Sequence, residues 1–313
     1  MNSPIILSTE SSRYFAELVS VGLPDAEVVN TNRKFFGGGE RYLQIAIDSR
    51  DYLLGRDVVV VIGTETDEHL AELYRIVSAV AKYGAHRIVF AIPFFGYSTM
   101  ERAVKPGEVV TAKTIAGQLS QLPQGDVRNC FFMMDLHTAG LVHYFEGECL
   151  RFELYAEPIL TAAISELNLS NFMFGSADLG RPLWVETFAK KFGTKLALVR
   201  KSRDSGEPEV TGVVGKVNGR TVVIYDDMIR SAKTLVGAAE AYLAKGALDI
   251  YAVSSHLALT GEEAIALLEK SPIKKIISTN SHSMSQHRKV AGSSKFVVKD
   301  VSGLFLDAIL RLR

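Results

Sequence analysis

Short runs of β-branched and aliphatic residues recur along this chain, each followed by a segment whose apolar residues are spaced for a helix. That alternation limits the fold more than any other feature. The run at residues 57–62, DVVVVI, is apolar at every position after the first, as a strand buried on both faces must be. Leu70, Leu73, Ile76, Val77 and Val80 then recur at helical spacing until Gly84, and RIVFAIP at 87–93 returns as a strand. Strands are also predicted over 4–8, 41–47 and 129–134, and helices over 11–21, capped by Ser11 or Ser12, and over 111–119.

The second half repeats the scheme. Helices are predicted over 157–166, 182–192, from near Leu235 to 245, 261–270 and 303–312, and strands over 171–175, 195–200, 222–224, 250–254 and 275–278. Residues 201–215, with Gly206, Pro208 and Gly212, read as a loop or flap. The fold class is α/β, in two similar halves joined near residues 153–158: domains 1–156 and 157–313, with the last helix free to pack back on the first. A length of 313 residues with 47% hydrophobic content can bury two such cores.

Thirty-five basic and 35 acidic residues give a net charge of +0, which removes any general attraction to nucleic acid or an anionic membrane. An anionic ligand must therefore be held by local clusters. The two cysteines, Cys130 and Cys149, have neither disulfide-framework nor zinc spacing, and Cys130 reads as a buried thiol. The start, MNSPIILSTE, lacks a basic, then apolar, leader pattern, and no stretch approaches the ~20 apolar residues of a membrane span. The expected setting is the cytoplasm.

The stretch with the most chemistry is 221–235, TVVIYDDMIRSAKTL. An apolar strand ends in Asp226 and Asp227, a polar loop follows, and a helix begins, which is how α/β sheets hold phosphorylated ligands at a crevice. The aspartates suit sugar hydroxyls or a hydrated Mg²⁺; the bland reading is a pair on a solvated turn. Ser231, Ala232, Lys233 and Thr234 would bring backbone N–H groups and two hydroxyls to a phosphate.

This stretch resembles the phosphoribosyl-binding motif of type I phosphoribosyltransferases and, more closely, of ribose-phosphate pyrophosphokinases. FFGGGERYLQI at 35–45, IPFFGYSTMER at 92–102, TAKTIA at 111–116, MDLHTAGLVHYF at 134–145, LYAEP at 154–158, SADLG at 176–180 and SSHLALTG at 254–261 are similar to that second family in the same order. The resemblance implies two similar phosphoribosyltransferase-like domains, each a mostly parallel sheet flanked by helices: an ATP-side domain first and a phosphoribosyl-binding domain second. It implies transfer of the β,γ-diphosphoryl group of ATP to the anomeric hydroxyl of a 5-phosphorylated ribose, with Mg²⁺ and release of AMP. It also implies a homo-oligomer, a dimer or a hexamer.

Residue by residue, the resemblance places His137 on Mg²⁺ and the ATP phosphates and Asp178 near the metal. It makes Lys201 and Arg203 the catalytic cations of a mobile flap, with Lys201 first in line to stabilise the transition state. Asp226, Asp227 and Arg230 through Thr234 fall on the acceptor sugar. By themselves these residues have plainer readings: a hydrogen-bonded histidine, a helix cap at Asp178 and a solvated face at 200–203.

The departures also matter. The family usually carries Arg-Gln-Asp-Arg after Tyr97, whereas Thr99, Met100, Glu101 and Arg102 stand there. Among the ATP-side positions Glu40 is kept, but Gly38 replaces an aspartate. Arg230, Ser231, Ala232, Lys233 and Thr234 replace Asp-Thr-Ala-Gly-Thr, adding positive charge and putting a lysine where a positive φ would strain it. Two readings follow. One is an active enzyme whose acceptor is ribose 5-phosphate or a larger compound such as ADP-ribose, and the other is a catalytically silent, nucleotide-binding regulatory paralogue.

Overall fold

The computed structural model describes residues 3–177, 182–202 and 209–312. In chain order, β1 (Ile5–Ser8), α1 (Arg13–Val21), β2 (Glu27–Val28), β3 (Thr31–Phe35), β4 (Arg41–Ile45), β5 (Asp57–Val61), α2 (Asp67–Lys82), β6 (Arg87–Ile92), α3 (Thr111–Ser120), β7 (Cys130–Met134) and β8 (Leu150–Leu154) build the first part. α4 (Glu157–Ser165), β9 (Phe172–Ser176), α5 (Pro182–Lys191), β10 (Leu196–Ser202), β11 (Glu209–Val214), β12 (Thr221–Met228), α6 (Lys233–Ala244), β13 (Ile250–His256), α7 (Glu262–Lys270), β14 (Ile273–Thr279), α8 (Arg288–Ala291), β15 (Phe296–Lys299) and α9 (Ser302–Leu310) complete the chain.

Two compact units result: Met1–Tyr155 with Ser302–Arg313, and Ala156–Val301. In the first, the six-stranded sheet has the order β2-β1-β5-β6-β7-β8, every pair parallel. Val58, Val60, Phe90, Ile92, Phe131 and Met133 share a buried cluster with Leu73, Ile76, Val77 and Val80 of α2 and Ile115 and Leu119 of α3. The alternate positions Ile6, Val59, Val61, Val89 and Phe132 are buried as well, which is why these strands read as unbroken apolar runs. α9 packs on α1 within this unit, Phe15 meeting Phe305 edge to face at 5.4 Å. Cys130, the first residue of β7, is buried, and burial pushes its thiol up to about 12.

The second unit's sheet has the order β11-β10-β9-β12-β13-β14-β15, parallel except for the β10–β11 pair. Without β11, the two sheets share one topology: second strand, first strand, then the rest in sequence. Each sheet therefore reverses its winding once, between β1 and β5 and between β9 and β12. Beside such a reversal the crossovers leave on opposite sides and open a crevice at the carboxyl ends of the strands.

Several expectations change. Residues 41–47 do not join a main sheet; β4 pairs antiparallel with β3 in a separate ribbon, since alternation along a segment marks a strand but not which strand it pairs with. Within 201–215, the expected loop, β10 continues to Ser202 and β11 returns beside it as a hairpin arm, and glycine and proline spacing concealed the pairing. β2, β8 and β15 are edge strands of two to five residues, too short to stand out by pattern. Ser12 does not cap α1 with its side chain; its hydroxyl accepts the Gly63 N–H at 2.7 Å, tying α1 to the end of β5.

One internal staple fixes the strand ends of the second unit. The fully buried Tyr242 of α6 donates its hydroxyl towards the carbonyls of Ser176 (2.9 Å) and Ala197 (3.1 Å), and burial raises its pKa. Gly175 leaves room for it, since a Cβ there would lie 2.9 Å from the Tyr242 hydroxyl. Tyr242→Phe leaves two buried carbonyls poorer by a donor and is expected to lower stability by about 1–3 kcal/mol, read from the shift in urea midpoint at unchanged slope.

Candidate functional site

β12 carries the aspartate pair further into the sheet than its sequence suggests. The strand runs on to Met228, Asp226 pairing in register with Ser254 of β13. Asp226 is half-buried and Asp227 is 4% exposed, so the two carboxylates are not equally open. Alternation along the strand is the reason, since neighbouring side chains point to opposite faces. The Asp227 N–H donates to Asp226 Oδ1 at 3.0 Å, which orients the half-buried carboxylate.

β12 also lies at the winding reversal. Tyr225 registers with Ser176 of β9, so the chain leaving β9 starts next to Asp226. Asp178, two residues on, lies outside the described residues, as does Arg203. Lys201 lies in β10, where the register against β11 shifts between Arg200 and Lys201; its side chain is outside the described set.

After β12 the chain turns through Ile229 and Arg230 into α6. Arg230, Ser231 and Lys233 are exposed, Thr234 is half-buried and Ala232 is buried. The Thr260 N–H donates to the Arg230 carbonyl at 3.2 Å and fixes the loop to the segment after β13. The left-handed residue is Ala232, at φ 66° and ψ −17°, while Lys233 opens the helix. A lysine in place of the family's glycine therefore costs no left-handed strain, because the positive φ it would have had to adopt falls on Ala232. Ala232 has no side chain that could cap α6, so the donors of this 12-residue helix's first turn are left for an anion.

In the first unit, the expected ATP-side residues lie at two adjacent strand ends and on the ribbon. β6 ends before a turn in which Tyr97 takes φ 61° and gives its hydroxyl to Asp67 Oδ1 at 2.5 Å. Burial first, and then that hydrogen bond, raises the phenol to about 12. Thr99 is half-buried, Met100 is 39% exposed, and Arg102 is exposed beside Glu101 at 3.5 Å. β7 is followed by Asp135 at φ 40° and, two residues on, by the half-buried His137. The Tyr144 hydroxyl donates to the Glu101 carbonyl at 2.7 Å and ties the segment after β7 to the one after β6. Glu40 closes the ribbon's exposed turn, its carbonyl accepting the Phe36 N–H at 2.9 Å, and Gly38 has open space around it.

Sequence reasoning missed Tyr97, Asp135 and Tyr242 as organisers of these loops. Gly175 facing an aromatic was the only local signal for Tyr242, and left-handed φ at tyrosine or aspartate has no spacing signature.

A doubly repeated parallel sheet with a carboxylate pair at one winding reversal and an uncapped helix behind it defines a phosphoribosyltransferase-like α/β protein. Residues 4–122 match the family described as the N-terminal domain of ribose phosphate pyrophosphokinase, and residues 194–313 match the phosphoribosyl synthetase-associated domain. The ribose-phosphate pyrophosphokinase of Rhizobium meliloti (strain 1021) is 34% identical over 242 residues, 76% of each chain. That of Chlorobaculum tepidum is 31% identical over 307 residues, covering 97% of this chain and 88% of the relative. The crystal structure of phosphoribosylpyrophosphate synthetase from Mycobacterium smegmatis shares the fold at a TM-score of 0.85, over 99% of this chain and 98% of the other, with 22% identity. The chain belongs to the ribose-phosphate pyrophosphokinase family.

The loop geometry gives a direct test. Ala232→Gly is expected to stabilise the protein by about 0.5–1 kcal/mol by relieving a left-handed alanine, and Lys233→Gly to destabilise it by up to about 1 kcal/mol at the helix start. Thermal unfolding of the two variants checks the assignment, and the opposite order would place the positive φ at Lys233.

Proposed function

We propose that the protein is a Mg²⁺-dependent diphosphokinase that moves the β,γ-diphosphoryl group of ATP to the anomeric hydroxyl of a 5-phosphorylated ribose and releases AMP. The observation that carries this reading is the continuous run from Asp226 and Asp227, at the reversal beside β9, to the uncapped start of α6. One end suits ribose hydroxyls and the other its 5-phosphate.

In the reaction the anomeric oxygen attacks the β-phosphorus, the bond from that phosphorus to the α-phosphate oxygen breaks, and the hydroxyl proton passes to solvent. Catalysis of this kind is mostly positioning and charge stabilisation. Lys201 and Arg203 are assigned by resemblance to the charge developing on the transferred group, and Glu40, Thr99, Met100, Arg102 and His137 to ATP. Arg102 is the cation left in a segment whose usual arginine and glutamine are Thr99 and Met100.

Among the described residues no three His, Cys, Asp or Glu side chains converge on one point, so they form no all-protein metal cage. Mg²⁺ does not need one, because it is commonly held through substrate phosphates, waters and one or two protein groups. The half-buried His137 and Asp226 at strand ends fit such a partial role, with Asp178 named by the resemblance. When bound, Mg²⁺ neutralises triphosphate charge.

The acceptor is ribose 5-phosphate or a compound in which the 5-phosphate continues further, such as ADP-ribose. Exposed Arg230 and Lys233 flank the proposed phosphate end, and their charge favours the larger, more anionic acceptor. Met100 and Thr99 in place of ATP-gripping side chains favour the second reading, a silent nucleotide-binding regulatory paralogue. The assembly is read as the family's homo-oligomer, a dimer or a hexamer.

Incubation with ATP, Mg²⁺ and either ribose 5-phosphate or ADP-ribose, followed by AMP release and product mass, separates these readings. AMP with ADP-ribose alone assigns the larger acceptor, AMP with ribose 5-phosphate assigns the ordinary one, and ATP binding without AMP from either supports the silent paralogue. In the active case Lys201→Ala is expected to lower kcat by about 10²–10³ while changing ATP affinity only a few-fold. An unchanged kcat would remove Lys201 from the mechanism.

A further inference from the structure

The ribbon β3–β4 carries Glu40 yet belongs to neither main sheet, and a lone two-stranded ribbon is marginal in water. Its register places Arg33 opposite Leu43 and Phe35 opposite Arg41, so Arg33 and Arg41 lie on one face. Both arginines reach the same carboxylate, Glu72 of α2. Arg33 Nη2 and Nε lie 2.6 and 2.8 Å from Glu72 Oε1, and Arg41 Nη1 lies 4.0 Å from Oε2. The Glu10 N–H, just after β1, donates to the same Oε1 at 3.2 Å, while Arg33 also donates to the Thr31 and Ser8 carbonyls at 3.0 and 3.1 Å.

The Glu72 side chain is 4% exposed and sits in the middle of an amphipathic helix, where an apolar residue would ordinarily pack. A buried carboxylate is retained only with partners, and among the described residues those partners belong to the ribbon or to the end of β1. Elsewhere β4 and α2 border a cavity of about 760 Å³, lined in part by Glu40, Tyr42, Arg75, Ala79 and Tyr83. Leu43, opposite Arg33, and Ile45 pack on the core, so Arg41 at the start of β4 is the member of the ion cluster closest along the ribbon to the turn that holds Glu40.

We propose that Glu72 is a positioning residue for the nucleotide side: it clamps both strands of the ribbon to α2 and so sets where Glu40 stands. The proposal rests on the reading that Glu40 contacts ATP. Arg33 and Arg41 are then the grips of the clamp, and loss of the Glu72 charge frees the ribbon while leaving the parallel sheet in place.

Hydrogen exchange and ATP titration on the full chain test this in Glu72→Gln, which keeps shape and removes charge. Expected are exchange over residues 31–45 at least ten-fold faster with β5 and β6 still protected, and an ATP Kd raised about five- to twenty-fold. With whichever acceptor is active, KM for ATP should follow that Kd, kcat should stay within two-fold, and the acceptor KM should not move. Glu72→Asp, which keeps the charge, should recover at least half of the lost affinity. If Glu72→Gln does not fold, Arg33→Gln is read in the same two ways. Wild-type exchange over the ribbon, a loosened ribbon with unchanged ATP Kd, or a wild-type protein that binds no ATP would each overturn the proposal. ATP binding without turnover of any acceptor would overturn the enzyme reading alone, and the Kd would still decide Glu72.

Discussion

The pairing of β12 with β9 is the contact on which the rest of the second unit depends. It joins strands separated by a helix and a hairpin arm, and it places Tyr225 beside Ser176. Because β10 is added on the far side of β9, the winding reverses there, and no crossover covers the strand ends. Asp226 lies at that opening because the ladder puts it there. Tyr242 reinforces the arrangement from α6 by bonding the carbonyls at the end of β9 and the start of β10. Buried packing, a hydrogen-bond staple and the site thus share one small region.

The first unit repeats the sheet order but not the chemistry. Its expected ATP-side residues follow β6 and β7 and occupy the ribbon, instead of the reversal between β1 and β5. Irregular backbone does more of the work there. Gly96 is required because a Cβ would meet the Thr64 carbonyl at 1.9 Å, and left-handed Tyr97 and Asp135 set the directions of the following loops. Strain of this kind is stable only when the surroundings hold it, as the Tyr97–Asp67 and Leu136–Glu153 hydrogen bonds do.

Much of the architecture was legible from residue pattern alone. DVVVVI and RIVFAIP are apolar on both faces, and only a strand covered on both sides explains such runs. The helices followed from spacing, and the aspartate pair from its place after an apolar strand. Short edge strands such as β2 and β15 were not legible, since two to four residues are too few to establish a pattern. The arm formed by β10 and β11 was hidden because its antiparallel partner lies beyond a stretch of sequence rich in breakers.

The sequence by itself determined the alternation of strands and helices, the two-part repeat, and the presence of Asp226, Asp227, His137 and Lys201 in their local motifs. These depend on neighbours in the chain, so spacing records them. Tertiary structure alone decided that Asp227 is buried while Asp226 is half-open, that Ala232 and not Lys233 takes the left-handed turn, and that Glu72 gathers Arg33 and Arg41. Each of these depends on which distant segments meet, and strand register and helix packing set that, not the residues beside them.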